Sequence, residues 1–337
     1  MNTLICTEPG LLEYREQQVP VFSEGNTILR IRRIGLCGTD LHAFEGTQPY
    51  FSYPRILGHE LAAEIVQTDN VDFAEGETVT FIPYFNCGIC IACRNNKSNC
   101  CTAMQVCGVH VNGGMAQYLS VPSYSLVKSQ GLSYEELALV EPLAIGAHAV
   151  ARAAVTKNEF VLVIGAGPIG LGIIEFARLA GAHVIVIDVN DNRLNFCAAI
   201  LNVKYTVNAI QDNVMERLAE ITNGDMPTVV IDATGNLKAI NNTFQYMTHG
   251  ARYVLVGLQK EHISFSHPEF HKREATLMSS RNASREDFEY VISSIKNGDV
   301  DPLKFITHRV SFDKLATEFP SYLKPETGVI KAMVEMV

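Results

Sequence analysis

No stretch of this 337-residue sequence is both long and apolar enough to span a membrane. The most apolar segment, Phe160 to Ile187, is interrupted by glycines and by Glu175, Arg178 and His183, which excludes an inserted helix. Basic residues are also short: 27 Lys+Arg face 36 Asp+Glu, a formal net charge of -9, so nothing electrostatic points to nucleic acid as a partner. There is no block of like charges to make an acidic tail or a basic arm. The first nine residues, Met1 to Pro9, lack the basic and long apolar regions of a secretion signal, and the expectation is a cytoplasmic protein. Internal repeats, low-complexity tracts and flexible linkers are missing as well. What remains, 47% apolar and 19% charged residues over a length suited to two domains, is a globular chain.

Cysteine is what the sequence has in excess. Of its nine cysteines, Cys87, Cys90, Cys93, Cys100, Cys101 and Cys107 fall within 21 residues, a crowding that in a reducing compartment points to metal. Cys87-x2-Cys90-x2-Cys93 followed by Cys100 and Cys101 offers enough thiolates for a closed tetrahedral zinc site. An iron–sulfur run starting the same way continues with x3-C-P, whereas six or seven residues intervene here and no proline follows. A redox C-x-x-C needs a thioredoxin-like surrounding, which the flanking sequence lacks. The spacing leaves the fourth ligand open between Cys100 and Cys101.

The chain changes texture along its length. Up to about residue 148, short β-like runs such as Ile28–Arg32, Glu77–Ile82 and Gln117–Pro122 predict an irregular β-rich domain. From Phe160 onward, buried-strand patterns (160–164, 183–187, 205–207, 229–232, 252–256 and 275–279) alternate at first with helix-length spacers, predicting a doubly wound parallel sheet. An amphipathic helix around Phe288, Val291, Ile292 and Ile295 follows, then a closing strand over 329–334 that can return to the first domain.

Gly165-Ala166-Gly167-Pro168-Ile169-Gly170 matches G-x-G-x-x-G between such a strand and a helix, and Asp188 ends the next strand 18 residues after Gly170. Gly165 permits the tight turn, Gly167 lets a pyrophosphate approach the backbone, and Gly170 lets helix and strand pack. The free N–H groups of the helix then face the phosphates. A carboxylate at Asp188 holds the adenosine ribose and repels a 2′-phosphate, so NAD is expected over NADP. Arg193 is the nearest arginine, about a helical turn further on.

Three further features mean little alone: Gly35-Leu36-Cys37-Gly38-Thr39-Asp40-Leu41-His42, Gly58-His59-Glu60 and Glu141-Pro142. A lone Cys or His is more often packed core than ligand. Together with the cysteine cluster, Gly108-Val109-His110, Gly113-Gly114, 141–150 and the glycine turn, however, the chain resembles the zinc-containing medium-chain dehydrogenases along its whole length. That resemblance implies an α/β protein with a GroES-like β-barrel catalytic domain and a Rossmann domain. The catalytic domain would comprise residues 1–148, with a zinc lobe at about 86–102, and 282–337; the Rossmann domain would comprise 149–281. It implies two zinc ions per chain, a structural one on Cys87, Cys90, Cys93 and Cys101 and a catalytic one on Cys37, His59 and Glu60 with Glu141 nearby.

By the same resemblance Thr39 and His42 form a proton relay, and Thr234 and Arg281 lie at the cofactor or substrate; the alternatives are a turn or cap role for Thr39, a surface role for His42 and a surface ion pair for Arg281. The ligand set is similar to the branch acting on polyols, threonine and sugar acids. Segments 51–60, 232–236, 268–272 and 280–282 are similar to sugar-acid dehydrogenases of the L-galactonate type. The implied partner is a small sugar acid or polyol, oxidised at a secondary hydroxyl, in a homodimer or homotetramer. L-Threonine 3-dehydrogenase or sorbitol-type oxidation is the runner-up. A zinc-free reductase and a nucleotide-binding sensor are disfavoured because Cys37, His59 and Glu60 are all present.

Overall fold

In the computed structural model, which describes residues 1–49 and 51–336, the chain forms two compact units. One comprises Met1–Glu141 with Ser284–Val337, and the other Pro142–Ala283.

The unit made from both chain ends is built on the ten-residue strand Asn26–Gly35. That strand pairs antiparallel with Glu60–Gln67 along one edge and, along the other, with Tyr118–Pro122 and then Lys331–Glu335. Thr78–Phe81 and Leu126–Lys128 extend the sheet one way and Ile306–Ser311 the other. A three-stranded sheet of Leu11–Glu16, Asn2–Glu8 and Arg55–Ile56 shares its core, in which Leu4, Leu29, Ile34, Leu57, Leu61, Phe81 and Phe319 are buried. The closing strand starts at Lys331, two residues later than the apolar run suggests. Gly328 (φ 66°) ends the single turn Pro325–Thr327, and the Ile330 N–H is taken by Thr307 Oγ1 at 3.0 Å instead of by the ladder.

The second unit is a six-stranded, all-parallel sheet. Its spatial order is Tyr205–Asn208, His183–Asp188, Phe160–Ile164, Val229–Asp232, Arg252–Leu255 and Thr276–Ser279. In chain order this reads 3-2-1-4-5-6, the doubly wound arrangement whose switch point lies at the carboxyl ends of the first and fourth strands. Helices cover faces that demand it: Val161 to Val163 and Ile185 to Val186 have no exposure.

The division between units falls at Glu141/Pro142, seven residues before the expected boundary, and at Ala283/Ser284, two residues after it. The helix Val140–Arg152 therefore contributes its bulk to the second unit. There Gly146 packs so tightly on the helix Pro168–Leu179 that a Cβ would come within 2.6 Å of Gly172.

Candidate functional site

Cys37 ends the loop after Asn26–Gly35 and caps the helix Gly38–Glu45 with extended backbone (φ -97°, ψ 154°). His59 immediately precedes and Glu60 opens the neighbouring strand Glu60–Gln67, so that strand pairing brings the residues together. One donor atom from each of Cys37, His59 and Glu60 lies within 4.8 Å of the others. Asp40, a fully buried residue one helical turn beyond Cys37, ties them down. Its Oδ2 accepts the Cys37 N–H and its Oδ1 the Gly58 N–H, both at 3.0 Å, and Oδ1 is 3.9 Å from His59 Nδ1.

These residues fit a zinc ion. His59 Nδ1 is buried with no hydrogen-bond partner, and burial alone would lower the imidazole pKa. It is nevertheless held well above its ordinary value, because Cys37, Asp40 and Glu141 surround it with negative charge. Cation-seeking charge around a soft thiolate, an imidazole and a carboxylate suits zinc.

Glu141 does not belong to that three-residue set. It is 2% exposed, its Oε1 accepts the Tyr84 hydroxyl, and its Oε2 is buried without a partner. Burial pushes its carboxyl up to about 7, with His59 pulling it down and Glu60 raising it. Thr39 is half-buried on the first turn of the same short helix as Cys37. His42 is exposed one turn on, with Nδ1 3.3 Å from both Glu45 Oε2 and Thr47 Oγ1.

The second thiolate set is equally well gathered. Sγ–Sγ distances are 3.5 Å for Cys90–Cys93, 3.9 Å for Cys90–Cys101 and 3.5 Å for Cys87–Cys101. Tetrahedral zinc with Zn–S of about 2.3 Å requires about 3.8 Å. The structure places Cys101 in this set, while Cys100 is exposed outside it. Backbone N–H groups of Cys93 and Thr102 lower the Cys90 thiol to about 5, so it enters the set as a thiolate. In Cys90→Ser we expect loss of the lobe metal and a clear fall in thermal midpoint, since a closed thiolate site contributes folding energy. An unchanged midpoint with full metal content would contradict this.

In the parallel-sheet unit, Gly165 takes φ 95°, and a Cβ on Gly170 would lie 1.8 Å from the Gly165 carbonyl oxygen, so both must be glycine. The helix Pro168–Leu179 starts with Gly167 as its cap and Pro168 and Ile169 half-buried in its first turn. Above Gly167 the nearest atom to a hypothetical Cβ is Arg193 Nη1 at 4.0 Å, which leaves room for phosphates and puts the guanidinium beside them. Asp188 accepts the Asn190 N–H at 2.9 Å and, across the turn, the Ala166 N–H at 2.7 Å. Thr234 bonds through N–H and hydroxyl to the buried Asp232 and is structurally committed to its own turn. Arg281 is exposed just beyond the strand Thr276–Ser279.

Three residues escaped the sequence reading. Asp40 and Tyr84 had weak local signals, a carboxylate inside the Cys37 motif and an aromatic three residues before Cys87. Lys331 had none. Its ammonium lies 2.6 Å from both Glu60 carboxylate oxygens and 3.0 Å from the Leu36 carbonyl, which uses all three protons, and the pair is 3% and 0% exposed. Burial works against that charge, and Glu60 and Cys37 more than offset it.

Comparison with known proteins agrees with this geometry. Residues 23–131 match the alcohol dehydrogenase GroES-like domain and residues 168–297 the zinc-binding dehydrogenase domain. L-Galactonate-5-dehydrogenase of Escherichia coli (strain K12) is 41% identical over 336 residues, covering 99% of this chain and 98% of that protein. Starvation-sensing protein RspB of the same strain is 32% identical, covering 99% of each. The crystal structure of an alcohol dehydrogenase (rspB) from E. coli CFT073, complexed with cofactor NADH, superposes with a TM-score of 0.93 at 30% identity, covering 99% of both chains. The chain belongs to the zinc-binding alcohol dehydrogenase family, with a GroES-like domain and a Rossmann-type domain. Within that family it is an NAD-dependent zinc dehydrogenase.

Proposed function

We propose that the chain oxidises a secondary hydroxyl of a sugar acid, of the L-galactonate kind, to a ketone, passing hydride to NAD. The observation that carries this reading is the Cys37–His59–Glu60 set, half-buried at the thiol and buried at the other two, supported by 41% identity to an L-galactonate-5-dehydrogenase. Cys37, His59 and Glu60 would hold a zinc ion there, which would polarise a hydroxyl and lower its pKa, as a poor hydride donor such as a neutral alcohol requires. Asp40 fixes the backbone of both zinc-facing loops. Glu141 contributes negative charge that favours a cation beside His59. Thr39 and His42 give the substrate proton its outlet, with His42 at the solvent end. In the other unit the Gly167 helix cap and Arg193 receive the cofactor phosphates, and Asp188 the adenosine ribose.

A panel of aldonates, polyols, L-threonine and primary alcohols, followed by NADH formation, tests the substrate class. An aldonate should turn over fastest; primary alcohols exceeding every aldonate and polyol would overturn the reading, and L-threonine leading would move it to the runner-up activity.

Asp188→Ser is expected to weaken NAD and raise the NADP-to-NAD ratio of kcat/KM. Because it also strips the Ala166 N–H of its acceptor, both cofactors should lose some affinity through a looser phosphate turn. A parent enzyme using NADP as well as NAD would show that Asp188 does not hold the ribose.

The assembly we propose is a homodimer or homotetramer. The edge strand Thr276–Ser279 supports it: in an otherwise buried parallel sheet it leaves Leu277 37% exposed and one backbone edge unpaired among the described strands. Light scattering should return a multiple of the 37.1 kDa chain mass, and a monomer at working concentration would contradict this.

A further inference from the structure

Tyr84 belongs to neither metal set, yet it stands three residues before the first thiolate of one and bonds Glu141, whose charge acts on His59 of the other. The strand Tyr84–Phe85 pairs antiparallel with Gln105–Val106, Tyr84 opposite Val106, and the thiolate lobe of residues 87–101 is the loop between them. Tyr84 thus stands on the stem of that lobe. Its ring is 5% exposed and meets Phe288 edge-on, with centroids 6.4 Å apart, which fixes the direction of its hydroxyl. That hydroxyl donates to Glu141 Oε1. When Glu141 is ionised it only accepts, so the bond then runs from phenol to carboxylate and is charge-assisted.

The other oxygen of Glu141 is the informative atom. Oε2 is buried and receives no hydrogen bond, a costly state unless a cation or donor completes it. His59, Glu60 and Lys331 are charged groups that act on Glu141, and Cys37 and Glu60 act on Tyr84 together with Glu141. Lys331 is already spent on Glu60 and Leu36. Oε2 is thus left open to a cation of the kind that Cys37, His59 and Glu60 suit.

We propose that Tyr84 is a positioning residue of the reaction: by holding Glu141 through Oε1 it presents Oε2 to the cation at Cys37, His59 and Glu60. Because it does so from the stem of the thiolate lobe, it links the two metal centres mechanically. The inference rests on the zinc reading above. A lobe of this kind then does more than stabilise the fold: its closure sets the stem, the stem sets the phenol, and the phenol sets a carboxylate at the chemistry.

Tyr84→Phe keeps the ring against Phe288 and removes only the hydroxyl. With cobalt placed in the Cys37 centre, its visible absorption bands should shift in position and intensity relative to the parent. kcat should fall about tenfold or more, the usual cost of an outer-sphere partner, with the KM for NAD unchanged and the thermal midpoint lowered by no more than one buried hydrogen bond accounts for. Glu141→Gln should alter the same bands, and the double variant should be no worse than the poorer single one. Parental cobalt bands and parental kcat in Tyr84→Phe would overturn the proposal. Should that variant lose its lobe metal, Glu141→Gln, which leaves the stem intact, decides: unchanged bands overturn the proposal and shifted bands support it. Cobalt bands that survive Cys37→Ser would instead overturn the zinc reading itself, a result separable from any behaviour of Tyr84.

Discussion

Cys37→Ser is expected to cut turnover by about a thousandfold or more while leaving a folded protein that retains the lobe metal only. Polarisation of the hydroxyl is worth several kcal/mol, and each 1.4 kcal/mol or so of lost transition-state stabilisation is tenfold in rate. The fold should not notice the change. The Cys37 N–H donates to Asp40 Oδ2 whatever the side chain, and serine is a favoured residue at a helix cap. Metal analysis, circular dichroism and NADH formation on the same preparation check all three parts. Full activity with one zinc or fewer in the parent chain would refute the two-site assignment.

Lys331→Met should have the largest effect on stability. It leaves Glu60 at 0% exposure without its cation and the Leu36 carbonyl without a donor, the kind of broken buried pair that costs about 3–5 kcal/mol. Adding Glu60→Gln should recover part of that loss, since the stranded charge goes with it. The destabilisation should be larger in chelator-treated protein, because zinc beside Glu60 supplies positive charge that the lysine no longer does. Thermal melts of metal-loaded and metal-free protein measure this; unchanged midpoints in both would show that the pair is not a structural element.

What could be read from the sequence is what short-range backbone geometry writes there. Gly165 and Gly170 must be glycine because of a positive φ and a carbonyl in the way, and such demands recur at fixed spacing. The same holds for thiolates converging from a 15-residue loop. The continuous apolar strands of the parallel sheet were legible because both their faces are covered. The resemblance then brought Cys37, His59 and Glu60 together, which spacing alone did not.

Lys331 was invisible because its partner is 271 residues away and a lone lysine in a strand says nothing of its pair. Asp188 was read for its ligand-facing role, while its grip on the Ala166 N–H depends on how two turns meet. The domain boundary moved for a similar reason: Pro142 to Arg152 looks like a continuation of what precedes it until Gly146 finds Gly172.

The pairing of Lys331–Glu335 with Asn26–Gly35 has a consequence for synthesis on the ribosome. The parallel-sheet unit, Pro142–Ala283, is contiguous and can close as soon as it emerges. The unit carrying Cys37, His59 and Glu60 cannot, because Glu60 has no cation to enter the core with until Lys331 is made. A nascent chain is thereby kept from completing the metal-binding unit early, and one truncated before residue 331 carries its own defect as a core carboxylate without its lysine. Premature termination in this protein should yield material that cellular proteolysis removes, rather than a partly active enzyme.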